Sequence, residues 1–335
     1  MNRTLSTRAC HLVFSAVVIA LPAIPAGAQA PAAPAGWTAP RTPWGDPDLQ
    51  GDFTNVYEQA TPLERPEAMK GRRLEDVKGD ELSKYLIARR DASVAGFDSS
   101  EVHAPTFWWA DSLDVAKGSQ AWFIVDPEDG RIPPLTPQAQ KRAAARAAAR
   151  KASTRGPADS WTDRSLYDRC ITRGFPNSML PTLYGNSFEI VQAPGVVAIR
   201  YEMIHETRVI STTGQQVPGP GVRQHFGTAT GRWEGDTLVV ETANFRPDSV
   251  FRDANPDTLK VIERFRRVAP NKVQWTVTID DADTWTRPWT FTLPLTVNEQ
   301  ERVHEYGCHE GNYGLANILS AARAEEKAAA GSPAR

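Results

Sequence analysis

The sequence predicts a mainly β protein, an antiparallel meander that closes into a barrel or a strongly curled sheet with a few peripheral helices. Three observations point there. From residue 188 onward, segments alternating apolar and polar residues recur with turn residues between them, which is the period of half-buried strands. Two connections, Glu234-Gly235-Asp236 and Ala269-Pro270-Asn271, carry the residue types of tight hairpin turns. The segments number about eight, and an open sheet of that size would leave long adhesive edges, so closure is expected.

Taken in order, the chain opens with the three-part layout of a cleaved secretory signal over residues 1–28: Arg3 and Arg8, an apolar run over 12–21, then Ala26, Gly27 and Ala28. The run is shorter than the roughly 20 apolar residues of a membrane span, and Pro22 and Pro25 stop its extension. An Ala-x-Ala site ends at Ala28; the alternative ending at Ala30 would leave Pro31 first, a poor peptidase substrate, so Gln29 is the expected mature start. Cys10 precedes the apolar run and leaves with it. The working protein is therefore expected to be periplasmic or secreted.

Residues 29–43 form a flexible Pro/Ala-rich leader. Residues 44–135 read as a mixed part that packs on the barrel, with a strand signal over 50–57, a helix over 80–92 placing Leu82, Tyr85 and Leu86 on one face, and a strand over 120–125. Residues 136–155 read as a connector helix with Thr136 as N-cap and Pro137 at the first helical position. Lys141, Arg142, Arg146, Arg150, Lys151 and Arg155 make it basic, able to touch an anionic surface, but with no large apolar residue to insert the solvated connector is the favoured reading.

The β domain spans 156–313, with strands expected over 188–192, 196–201, 207–211, 237–245, 259–268, 272–279, 289–293 and 302–308. In one of them Val273, Trp275, Val277 and Ile279 face one way while Gln274, Thr276 and Thr278 face the other. A final helix over 314–328 places Leu315, Ile318, Leu319 and Ala322 on one face to cover an end or side of the barrel, and 329–335 is a tail.

Cleavage leaves 307 of 335 residues, ample for a core, and removing Arg3 and Arg8 leaves 36 Lys+Arg against 40 Asp+Glu, a net charge of −4. No overall basic field recommends nucleic acid as a partner. The mature chain keeps only Cys170 and Cys308. In an oxidising compartment such a pair bonds and persists, although two separate buried thiols would satisfy the same count. A disulfide there would stabilise by on the order of 4 to 5 kcal/mol in the chain-entropy picture. It would also bring Arg169 to Arg173 beside Tyr306 to Glu310.

Standard catalytic motifs fail. His205-Glu206 and His309-Glu310 begin like the zinc-protease pair, but Val209 and Tyr313 stand where the second histidine belongs. No nucleophile elbow, phosphate loop or dinucleotide fingerprint is present, so no cofactor is expected. The acidic trio Asp280, Asp281 and Asp283 reads as a turn or a weak Ca²⁺ site.

What remains is polar residues inside apolar strands, where burial is costly unless the group is paired or useful. Alternation from Tyr201 groups Met203, His205, Thr207 and Val209, so His205 is expected on the apolar side, as a hydrogen-bonded core histidine or a proton shuttle. Trp285, Arg287 and Trp289 alternate onto one face, a cation between two indoles that suits stacking a flat ligand or sugar ring, or serves as a structural cation-π stack. The leading expectation is an internal cavity in which Arg173, His309 and Glu310 face a small acidic, sugar-like or aromatic ligand held by Arg287, Trp285 and Trp289. His205 would be a second acid/base group of a lyase, isomerase or hydrolase. A non-catalytic small-molecule binding protein is the rival. A third reading is a metal site using His205, His225 or His309 with a carboxylate.

Five strings, RCITRG at 169–174, EMIHETR at 202–208, GRWEGDTLVVETANF at 231–245, TWTRPWT at 284–290 and CHEGNYG at 308–314, resemble a family of uncharacterised exported bacterial proteins. The resemblance runs from about Arg131 to Glu326 and implies no activity. The Gly51-Asp52-Phe53-Thr54 segment and the meander are similar to lipocalin-like barrels, a fold analogy alone.

Overall fold

In the computed structural model, which describes residues 37–95, 114–153, 156–214, 221–299 and 302–331, nine strands close into a barrel and a tenth lies against one of its edges. The predicted export leader, the start of the Pro/Ala-rich stretch, Arg155 and the end of the tail lie outside the described residues. The strands are β1 (Gly51–Thr54), β2 (Ile124–Asp126), β3 (Ser187–Ala193), β4 (Val196–Tyr201), β5 (Thr207–Ser211), β6 (Thr228–Glu234), β7 (Thr237–Ala243), β8 (Lys260–Ala269), β9 (Lys272–Asp280) and β10 (Trp289–Val297). They follow the chain round the wall from β3 to β10, and β1 closes it by pairing with both β3 and β10.

The pairings are antiparallel except one: β5 meets β6 in parallel, through the single pair Ser211 and Thr230. A meander reverses direction at every hairpin, whereas a longer connection, here between Ser211 and Thr228, lets the chain return in the same sense. The wall therefore has a seam between β5 and β6. The free edge of β10 is shared, β1 covering Thr296 and Val297 while β2 covers Thr290 and Phe291. The part over 44–135 thus builds wall as well as packing on it. It adds a small core of its own, in which Leu82 and Leu86 of α1 (Gly79–Ala95) meet Met69, Val77, Val115 and Trp122.

The interior is filled. Val273, Trp275, Val277 and Ile279 of β9 are fully buried and lie across from Leu295, Leu293, Phe291 and Trp289 of β10, which are fully buried too. Each such aromatic is worth about 3–5 kcal/mol against truncation to Ala. The hairpin between β6 and β7 turns through Gly235 and Asp236, with Gly235 at φ 60°, a conformation that favours glycine. On this side of the barrel the inward residues form packed core.

Helix α2 (Pro137–Ala152) starts as predicted: the Thr136 hydroxyl accepts from the Ala139 N–H at 3.1 Å and donates to the Asp283 carbonyl at 2.8 Å. Its basic run is divided, since Arg142 donates to Thr284 Oγ1 and the Asp283 carbonyl and Arg146 to the Asp253 carbonyl, leaving Lys141, Arg150 and Lys151 outward. The Asp281 carboxylate is consumed in a turn, accepting from Asn255 N–H, Thr258 Oγ1 and Asp283 N–H.

Two expectations near the C-terminus are corrected. Residues 302–308 form no strand; they run as an irregular segment tied down by Arg200, which donates to the Val303 carbonyl, and by the disulfide. Helix α3 (Tyr313–Gly331) buries no side chain: Leu315, Leu319 and Ala322 are half-buried and Ile318 is exposed, so it rests on the surface and does not cap the barrel. Among the described residues no helix is long and apolar enough to cross a membrane.

Candidate functional site

Cys170 and Cys308 are bonded, with their Cα atoms 5.8 Å apart. The bond brings the backbones of 169–173 and 306–310 together. His309 and Glu310 are exposed in a turn, while Arg173 is half-buried, its guanidinium 5.7 Å over the Tyr167 ring and 3.5 Å from the Gly185 carbonyl. His205 does not point into the core. The strand from Tyr201 is broken by a helical turn over Met203–His205, with Ile204 and His205 at positive φ, and the exposed imidazole Nδ1 lies 2.9 Å from the Tyr306 carbonyl. Trp285 and Trp289 pack on each other in the core, ring centres 5.8 Å apart, while Arg287 is exposed and bonded to Asp126 at 2.7 Å. Residues 285–287 lie before β10 begins, so strand alternation does not reach them.

The structure gathers other polar residues at the seam. Where β5 and β6 diverge, a cleft of about 530 Å³ is lined by Glu206, Thr207, Arg208 and Val209 on one side and by residues 223–229 on the other, with Arg246 at its rim. Its floor is Arg208, 4 % exposed, whose Nη2 donates to Glu263 Oε2 at 2.6 Å and to Thr242 Oγ1 at 3.1 Å, and whose Nη1 donates to Glu263 Oε1 at 3.1 Å. Trp275 Nε1 donates to the same Glu263 Oε1 at 3.0 Å, and the guanidinium carbon lies 4.0 Å from the Phe175 ring centre. Burial opposes the charge on Arg208, but the Glu263 carboxylate and the Tyr201 phenol outweigh it, so its pKa stands above the ordinary value and the cation is permanent.

Two titratable groups in this cleft are shifted. Burial pushes Glu206 up to about 7, against hydrogen bonds from Thr172 Oγ1, at 3.0 Å, and from the Arg173 backbone N–H. Burial also pushes His225 below its ordinary value, more than neighbouring Asp248 raises it. The His225 Nδ1 is buried with no hydrogen-bond partner among the described residues; Asp248 Oδ1 is 3.9 Å away. Near neutral pH Glu206 is partly a proton donor and His225 a free base, the pairing that proton-transfer chemistry uses.

Among the described residues no three His, Cys, Asp or Glu side chains converge as a metal set, and His205, His225 and His309 make no common site. Of these cleft residues the sequence singled out His225, as a metal ligand, while Glu206 and Arg208 escaped because the strand parity of β5 was assigned by hydrophobicity. One signal was present: Glu263 shares its face with Val261 and Phe265 in an otherwise regular strand, and a carboxylate there demands a buried cation.

No family model and no curated protein matches the chain. Among solved structures, a variant of the fluorescent protein UnaG is similar over 40 % of this chain and 86 % of that one, at 11 % identity and a TM-score of 0.23. At that overlap the closed barrel stands on its own strand pairings, and the site on its own geometry.

Proposed function

We propose that this is an exported barrel protein that binds a small organic acid in the cleft between β5 and β6 and exchanges protons with it, Glu206 acting as acid and His225 as base. The observation that carries the reading is that both groups, each shifted by burial toward its neutral form, line one cleft. Clustering of perturbed ionisable groups in a concave site favours function over packing.

The cations at the rim suit a carboxylate. Arg223 bonds Asp257, and Arg246 bonds Asp248 at 3.1 Å, both pairs lying in solvent. Exposed pairs contribute about 0–1 kcal/mol, so either guanidinium can exchange its aspartate for a ligand at little cost. Phe226 supplies an apolar wall. His225 would take a proton from a ligand carbon and Glu206 would return one, with no net change in protons, the balance of an isomerisation; elimination would follow if the proton from Glu206 went to a leaving oxygen. Export agrees with the leader over 1–28 and with the Cys170–Cys308 bond, which an oxidising compartment preserves.

The test is titration of the full chain with small carboxylic acids in D2O, following binding by calorimetry and deuterium entry into the ligand by NMR. Saturable binding with deuterium incorporation is expected, and Glu206→Gln and His225→Ala should each slow incorporation at least a hundredfold, within the range general acid–base catalysis supplies. Incorporation unchanged in both variants overturns the assignment. Binding without incorporation in the parent protein would make the cleft a carrier site.

A further inference from the structure

We propose that Arg173, with the phenols of Tyr167, Tyr184 and Tyr306, forms a second binding site, separate from the cleft, for a carboxylate carried on a ring. The starting point is a cation lacking a counter-ion. Arg173 is half-buried, and among the described residues no carboxylate oxygen lies within ion-pair distance of it. Among the described residues its guanidinium makes one hydrogen bond, to the Gly185 carbonyl, 3.5 Å long, the outer limit for such a contact. Glu202 lies within its field, but that carboxylate already accepts the Ser187 N–H at 3.1 Å. A guanidinium carries five N–H donors in a planar fork, and a carboxylate is the anion that matches it in two places at once.

The surroundings are donors as well. The Tyr167 and Tyr184 hydroxyls are 3.1 Å apart, and the Tyr306 phenol lies close enough to Tyr184 and Arg173 to feel both, so three phenols gather beside the guanidinium. Burial pushes Tyr167 and Tyr306 above the ordinary phenol value, which keeps both protonated and able to donate. Two ties hold the parts together: the disulfide, which fixes the segment of Tyr167 and Arg173 against that of Tyr306, and the contact of His205 Nδ1 with the Tyr306 carbonyl. Such a site binds without first having to be ordered.

The ring follows from what is exposed. Tyr184 and Leu183 are 52 % and 51 % exposed beside the phenols, an apolar edge on which an aromatic or sugar ring can lie. The site differs from the cleft in its residues, since Arg173 and the tyrosines contribute nothing to the cleft lining.

The experiment uses the full chain, disulfide intact, labelled with ¹³C at tyrosine and titrated with benzoate, glucuronate and acetate. Saturable shifts of tyrosine signals that disappear in Tyr167→Phe, Tyr184→Phe and Tyr306→Phe are expected with benzoate or glucuronate, at least threefold tighter than with acetate. The preferred ring tells whether the ligand is aromatic or a sugar acid. Arg173→Gln should weaken binding at least tenfold and Arg173→Lys less, because the ammonium loses the fork. His225→Ala should leave the tyrosine shifts in place even if it abolishes proton exchange in the cleft. If Arg173→Gln fails to fold, Tyr184→Phe, at an exposed position, should still weaken binding severalfold. No tyrosine shift with any of the three acids, equal affinity for acetate, or affinity unchanged by Arg173→Gln and Tyr184→Phe would overturn the proposal.

Discussion

Glu206 and Arg208 stand two residues apart at the start of one strand and behave in opposite ways. Arg208 is buried against Glu263, held by two parallel N–H to oxygen contacts, and its charge is locked. Glu206 is only half-buried and is met by a threonine hydroxyl and a backbone N–H with no cation, so burial raises it to about 7. Burial with a counter-ion makes a fixed charge that organises the barrel; burial without one makes a group that changes protonation near neutrality. The seam between β5 and β6 produces both, because a single residue pair joins the two strands and the wall beside that pair stays open.

The contrast can be broken most severely at the fixed pair. Glu263→Gln leaves Arg208 as an uncompensated charge inside the barrel, and chemical denaturation should show a loss of about 3–5 kcal/mol. Adding Arg208→Met should recover much of it, since an apolar replacement of a buried pair is often close to neutral; no recovery would mean that the pair is not what holds the interior.

At Glu206 a smaller, pH-dependent effect is expected. Below its ordinary value of 4.5 both folded and unfolded chains hold the proton. Between 4.5 and about 7 the unfolded chain has lost it while the folded one keeps it, so stability falls as pH rises through that window and levels above it. Glu206→Gln should flatten the fall by roughly 2 kcal/mol, a figure discounted for partial exposure. Glu58, buried in the N-terminal core with its carboxylate accepting the Ser119 N–H, is also raised to about 7 and should give a separate share of the same slope, removed by Glu58→Gln. Profiles of the variants that overlay the parent's would refute the assignment.

The smallest effects belong to groups that solvent already satisfies. Arg287→Ala, which removes the exposed partner of the largely covered Asp126 carboxylate, should cost about 1 kcal/mol in thermal or denaturant melts. His309→Ala, at an exposed turn, should stay within about 0.5 kcal/mol. A loss several times larger at either position would mean that it carries structure the geometry does not show.

Much of the barrel was legible because its signals are local. Val273, Trp275, Val277 and Ile279 alternate with polar residues, Gly235 marks a hairpin turn, and Thr136-Pro137 is a helix start written in two adjacent residues. The candidate site was less legible. Alternation separates the two faces of a strand but does not say which one is inside, and assigning the inner face by hydrophobicity reversed β5: Val209 is 64 % exposed and Arg208 is buried. The reversal rests on Glu263, 55 residues away in sequence. Likewise Trp285 and Trp289 meet each other in the core, whereas Arg287, expected between the two indoles, is exposed, in a segment before β10 that alternation does not describe.

The sequence by itself determined the strand-rich character, the hairpin turns, the capped start of α2 and, by placing only two cysteines beyond residue 28, the Cys170–Cys308 pairing. Only the tertiary structure decided that β5 and β6 meet in parallel, that Arg208 pairs with Glu263 inside the wall, and that Glu206, His225 and Arg208 share a cleft. The reason is range: periodicity and capping act between near neighbours along the chain, whereas a buried charge is placed by whichever distant partner compensates it.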